Sequence, residues 1–161
     1  MFFGVVCISD RCSAGLCQDK SGQLIRNLVS ELGKTAEYIV VPDEKAEIEK
    51  ALIYLCDDVK VDVVFTTGGT GFSPRDTTPA ATYAVATRLA PGIAEAIRAE
   101  SLKITKHAML SRGGSVIRGK TLIINLPGSP KACMESMDVF MDAIPHAMGL
   151  LRNEVQDCAR K

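Results

Sequence analysis

The sequence has no excess of either charge: nineteen basic and nineteen acidic residues cancel across its 161 positions. That balance excludes the broad positive face that general nucleic-acid or anionic-membrane binding requires. No apolar run approaches the roughly 20 residues needed to span a bilayer. Met1-Phe-Phe-Gly lacks a basic flank and runs straight into strand-like sequence, which predicts no signal peptide. The six cysteines (Cys7, Cys12, Cys17, Cys56, Cys133 and Cys158) contain no C-x-x-C and no pairing with the only histidines, His107 and His146. Zinc spacing is absent, so free thiols in a reducing compartment are expected. Repeats, linkers and low-complexity stretches are missing too. These absences predict one cytoplasmic domain over residues 1–161, with no nucleic-acid or membrane partner.

What remains is an ordinary globular composition, 47% apolar, long enough to bury about 70% of the unfolded surface without disulfide staples. Strand-like runs cover Phe2–Ser9, Tyr38–Val41, Val61–Thr67 and Thr121–Leu126, and Ser115–Arg118 reads as a short edge strand. Between them lie helical patterns. Ser21 caps a helix to Leu32, closed by Gly33. Pro42-Asp43-Glu44 opens a helix with Ile48, Leu52 and Leu55 on one face. Further helices are expected over Pro79–Ala90, Gly92–Leu102 and from Ser129-Pro130 onward, where Met137, Phe140, Met141 and Ile144 share a face. Residues 105–114 read as irregular. A last helix, Pro145 to about Asn153, precedes a frayed tail. Strands alternating with helices predict a three-layer α/β/α sandwich around a mostly parallel sheet. Ligands of such sheets lie beyond the carboxyl ends of the strands. There Ser9-Asp10, Pro42-Asp43, Thr66–Asp76 and Asn125–Ser129 should converge.

The third of these loops carries the strongest local signal. Gly68, Gly69 and Gly71 surround Thr70, which frees the backbone for positive φ and lets a ligand approach its amides. Thr78-Pro79 follows as cap and first helical residue. Strand, glycine loop and helix start make an anion-binding corner. Asp43 and Asp76 lie just past consecutive strands, and two carboxylates plus phosphates suit magnesium. Asp43 fits a helix cap equally well. Asp76 is less easily explained as a cap, although Arg75-Asp76 also reads as a surface ion pair. Asn125-Leu-Pro-Gly-Ser129 offers either a second ligand corner or a capped turn. Ser111, Arg112 and Arg118 fit phosphate or pterin contacts or a solvated surface.

One motif is refused. Gly114-Ser-Val-Ile-Arg-Gly119-Lys120-Thr121 matches the phosphate-binding pattern G-x-x-x-x-G-K-[ST]. That mechanism needs a strand before the loop and a helix after it. Here a loop precedes and a strand follows, which predicts a basic hairpin turn. His107 and His146 have no acidic neighbour at a useful spacing, so structural roles are expected of both.

Taken together, Thr66-Thr-Gly-Gly-Thr-Gly71, Pro74-Arg-Asp-x-Thr-Pro79, Ser101-Leu102, Leu110-Ser-Arg112, Ile117-Arg-Gly119 and Ile124-Asn-Leu-Pro-Gly-Ser129 resemble the molybdopterin adenylyltransferases. That family includes the N-terminal domain of gephyrin, and the match spans nearly the whole chain in the family's order. The resemblance implies Mg²⁺-dependent transfer of AMP from ATP to the phosphate of molybdopterin, releasing pyrophosphate in molybdenum cofactor biosynthesis. It aligns Asp43 and Asp76 with the family's catalytic, metal-holding aspartates. It implies substrate contacts from Gly68, Gly69, Thr70, Gly71, Ser111, Asn125, Pro127, Gly128 and Ser129. A homotrimer is implied, with hand-off to a molybdenum-insertion domain or protein. Lys106 and Ala80 depart from the family's usual proline and glutamate. Related domains act in molybdenum insertion, in nucleotide hydrolysis or as a gephyrin-like scaffold, which are the alternatives.

Overall fold

Three buried apolar runs and a half-exposed edge run form the parallel part of one six-stranded sheet. The computed structural model describes residues 1–154. Its strands are β1 (Phe2–Ile8), β2 (Lys34–Val41), β3 (Val63–Thr67), β4 (Arg88–Leu89), β5 (Ser115–Arg118) and β6 (Thr121–Leu126), in the order β2-β1-β3-β6-β5-β4. The first four of that order run parallel, while β5 and β4 are antiparallel additions. Val5, Phe65 and Ile124 sit side by side in register across the middle. All three are wholly buried, as expected of strands covered on both faces.

The helices are α1 (Asp10–Ser13), α2 (Lys20–Val29), α3 (Lys45–Ile53), α4 (Thr78–Ala84), α5 (Pro91–Ile104), α6 (Pro130–Phe140) and α7 (Ile144–Leu151). One face of the sheet packs Phe3, Phe65 and Leu126 against Ile25 of α2, Met137 and Phe140 of α6, and Ile144 and Met148 of α7. The other packs Val6, Val64 and Ile123 against Ile48 and Leu52 of α3 and Ala81 of α4. The three-layer expectation holds. Among the described residues no helix is long and apolar enough to cross a membrane.

Several boundaries differ from the sequence reading, each for a physical reason. The helix expected over Pro79–Ala90 stops at Ala84, because the sheet edge captures the chain. Thr87 N–H donates to Ile117 O at 2.8 Å and Ala90 N–H to Ser115 O at 3.1 Å, which makes β4 the edge and puts β5 inside. Thr78 is not the cap of α4; Thr77 holds that position, and the buried Thr78 hydroxyl donates to Gly68 O at 2.9 Å. Asp19 rather than Ser21 caps α2, accepting from Gly22 N–H at 2.9 Å. The second strand begins at Lys34. Residues 106–110 form a 3₁₀ turn capped by the Thr105 hydroxyl. The refused phosphate-loop pattern is the β5–β6 hairpin, with Gly119 at φ +58° in its turn. The frayed tail beyond Glu154 lies outside the described residues.

The cysteines divide. Cys7, Cys56 and Cys133 are free and buried, as expected. Cys12 and Cys17 instead form a disulfide, correcting the expectation of free thiols at those positions. The turn through Gly15, at φ +72°, brings them together. Cys158 lies outside the described residues.

Candidate active site

Because β2, β1, β3 and β6 run the same way, their carboxyl ends open on one side, and the four predicted loops meet there. Asp10 and Asp43 follow adjacent strands and exchange bonds. Asp10 N–H donates to Asp43 Oδ2 at 2.9 Å, and Asp43 N–H donates to Asp10 Oδ1 at 3.0 Å. Asp43 therefore does not cap α3, whose cap residue is Glu44. Burial pushes the Asp43 carboxyl above the ordinary carboxylate value. The charges of Asp10 and Asp76 push the same way, against the Asp10 N–H bond and Arg75.

The glycine loop runs between the two predicted aspartates. Gly68 and Gly69 take φ +98° and +62°, conformations that side chains resist. A Cβ on Gly69 would stand 3.1 Å from Asp43 Oδ1, and one on Gly71 would stand 2.9 Å from Asp76 Oδ2. The two carboxylates thus flank one short stretch of backbone. Asp76 Oδ2 accepts from Ser73 N–H at 2.8 Å. Among the described residues no three acidic, histidine or cysteine side chains gather to hold a metal. Two carboxylates each binding an N–H through one oxygen, beside a glycine turn, fit magnesium completed by phosphate oxygens and water.

On one side of the loop lies a cavity of about 320 Å³ lined by Thr70, Gly71, Ser111, Asn125 and Pro127, all predicted, together with the face of α5. Its walls are mostly apolar, with a few polar groups at the rim, the usual make-up of a small-molecule site. On the other side, Gly68, Gly128 and Ser21 line a second hollow of similar size, edged by the Cys12–Cys17 loop. Gly128 lies against Gly68, where a Cβ on Gly128 would stand 3.4 Å from the Gly68 Cα, and Ser21 Oγ donates to Gly128 O at 2.8 Å. Ser129 is the exposed cap residue of α6, where its side chain makes no capping bond.

A family model described as "Probable molybdopterin binding domain" matches residues 4–146. The chain belongs to the molybdopterin-binding domain family. It is 46% identical over 151 residues to a molybdopterin adenylyltransferase of Helicobacter pylori, covering 92% of this chain and 86% of that protein. Gephyrin of Dictyostelium discoideum is 43% identical over 162 residues, covering 94% of this chain and 22% of that protein. The crystal structure of the molybdopterin biosynthesis enzyme MoaB from Thermus thermophilus superposes with a TM-score of 0.89 at 40% identity, covering 94% and 96% of the two chains.

Within this molybdopterin-binding domain, some predicted groups are already spent. Asn125 lines the cavity floor, but its Nδ2 donates to the Thr66 and Thr82 hydroxyls at 2.9 and 2.8 Å. Its Oδ1 accepts from Gly114 N–H at 3.1 Å. Arg112 ties the loop from outside: its N–H donates to Thr70 O at 2.9 Å, and its guanidinium to the carbonyls of Gly71 and Asp76. Arg118 is not at the site. It pairs with Asp57 at 2.6 Å, at the amino end of β6. Arg75 binds Asp10 and Glu44 rather than its neighbour Asp76. Arg98, missed in the sequence, lines the cavity and donates to Gly113 O at 2.6 Å. Only the spacing of Ile97, Ser101 and Ile104 on one helix face could have flagged that wall. His107 lines the same cavity.

Proposed function

We propose that the chain is a molybdopterin adenylyltransferase acting as a single domain over residues 1–161. The likeness to the Helicobacter enzyme supports the activity. One geometric observation carries the mechanism: Asp43 and Asp76 flank the glycine turn that opens onto the cavity. In this reading a phosphate oxygen of molybdopterin attacks the α-phosphorus of ATP. The bond from that phosphorus to the bridging β-phosphate oxygen breaks, and pyrophosphate leaves. A magnesium ion held by Asp43 and Asp76 would supply charge neutralisation at the phosphates. The remaining work is positioning. The cavity beside Thr70, Ser111 and Pro127 receives the pterin, and the amides of residues 68–71 face its phosphate. Gly128 and Ser129 border the nucleotide from the side of the second hollow.

The test is direct. The pure protein with molybdopterin, ATP and Mg²⁺ should release pyrophosphate and form adenylylated molybdopterin, identified by mass. Hydrolysed nucleotide or released molybdenum cofactor in its place would overturn this reading in favour of hydrolysis or insertion chemistry. Tight pterin binding without turnover would indicate a gephyrin-like scaffold.

The family resemblance also supports a cytoplasmic homotrimer that passes its product to a molybdenum-insertion domain or protein. Exposed Leu89, Leu102, Ile104 and Met109 supply apolar surface for such contacts. Light scattering at micromolar concentration checks the trimer.

A further inference from the structure

Arg75 reaches across three loops. Its Nε and Nη2 grip both oxygens of Asp10, at 3.1 and 2.7 Å, and its Nη1 donates to Glu44 Oε1 at 2.6 Å. Asp10 in turn is locked to Asp43 by the reciprocal pair of backbone-to-carboxylate bonds. One guanidinium from the β3–α4 loop therefore fixes the ends of both β1 and β2. A forked, bidentate grip holds direction as well as distance, which a point charge does not. The bond from Asp10 N–H to Asp43 Oδ2 leaves the other carboxylate oxygen, Oδ1, turned toward Gly69.

We propose that Asp10 and Arg75 are positioning residues for the reaction: together they aim the Asp43 carboxylate at the cation and phosphates beside the glycine turn. Neither touches the reacting atoms in this arrangement. Arg75 also offsets the negative charges of Asp10 and Glu44 next to Asp43, so the crevice keeps its attraction for a cation without excess repulsion between carboxylates. The proposal rests on Asp43 being a metal-holding residue. Carboxylate partners that orient a ligand typically change metal affinity or activity by about 10–100-fold when removed.

The experiment measures Mn²⁺ binding by electron paramagnetic resonance with a non-hydrolysable ATP analogue, pterin absent, alongside steady-state turnover. Asp10→Asn keeps the backbone N–H but loses the bidentate partner of Arg75, and Arg75→Gln loses the fork. Both should weaken Mn²⁺ binding and lower kcat about 10–100-fold, with little change in the KM for molybdopterin. Arg75→Lys, which keeps the charge without the fork, should recover only part. Both side chains are exposed, so melting temperatures should stay near that of the parent. Unchanged Mn²⁺ affinity in Asp10→Asn and Arg75→Gln would overturn the proposal. So would an effect of Arg75→Gln confined to the KM for ATP, which would make Arg75 a phosphate ligand instead. If the parent binds no Mn²⁺ at all, the assignment of Asp43 itself fails, a distinct outcome.

Discussion

The side-chain amide of Asn125 donates to the buried hydroxyl of Thr82 at 2.8 Å, joining the sheet to α4 under the cavity floor. The same nitrogen serves Thr66, and the oxygen serves Gly114, so one residue satisfies three groups in a dry interior. Asn125→Ala would strand those partners. A loss of about 2–3 kcal/mol is expected in urea unfolding, since each buried unsatisfied group costs about 1–3 kcal/mol. Thr82→Val, which removes one partner and keeps the shape, should cost less. Equal midpoints for Asn125→Ala and the parent would contradict this account.

Gly69 and Gly119 share a positive φ but differ in surroundings. A methyl on Gly69 would crowd Thr78 and the Asp43 carboxylate, whereas one on Gly119 meets nothing within 4 Å. Both alanine variants should lose about 1–2 kcal/mol from backbone strain. Only Gly69→Ala should lose turnover as well. Parallel kinetics and thermal melts separate strain from crowding.

Asp43→Asn and Asp76→Asn should each lower turnover by more than about 100-fold, the scale of several kcal/mol of charge stabilisation by a bound metal. Pterin binding, followed by fluorescence quenching, should survive. Activity should vanish in excess chelator and return with Mg²⁺. Full turnover in Asp76→Asn would remove that residue from the mechanism.

Arg118 holds the Asp57 carboxyl below its usual range, chiefly through their hydrogen bonds. A carboxylate with a depressed folded-state pKa stabilises the fold above its unfolded value, about 3.9, and that contribution disappears as pH falls through the folded value. Melting temperature should therefore drop below about pH 4, and the drop should be shallower in Asp57→Asn. An identical acid limb in both proteins would show that this pair is inert.

Burial pushes the Cys7 thiol up to about 12 and those of Cys56 and Cys133 to about 11. Little thiolate exists at neutral pH, so iodoacetamide should leave all three unlabelled in the folded protein. After mild reduction Cys12 and Cys17 should become labelled, as read by peptide mass. Labelling of Cys133 without denaturant would refute its sealed environment.

Much of this architecture was written locally. The runs at Val61–Thr67 and Thr121–Leu126 read as buried strands, and the glycine loop pointed to the crevice because Thr70, Arg75 and Asp76 are packed into it. Side-chain partners across long separations were not legible. Asp43 looked like a cap because Glu44 and an apolar helix follow it. Its true partner, Asp10, lies 33 positions away and becomes adjacent only when β1 and β2 pair in parallel register. Arg75 beside Asp76 suggested a local ion pair, yet its reach is longer than one peptide unit and two carboxylates waited on neighbouring loops. The alanine-rich stretch after Pro79 read as a long helix. Edge bonding to β5 outweighed that propensity, as tertiary context usually does. Cys12 and Cys17 gave no spacing cue, because only the left-handed turn at Gly15 closes the gap.

Arg112 holds the glycine loop from its outer side, with its guanidinium on the carbonyls of Gly71 and Asp76. The two carbonyls bracket the turn through Ser73 and Pro74, so one side chain ties that turn across its mouth. Arg112→Ala would release both ends of that turn together, and with them the backbone from which Asp76 projects.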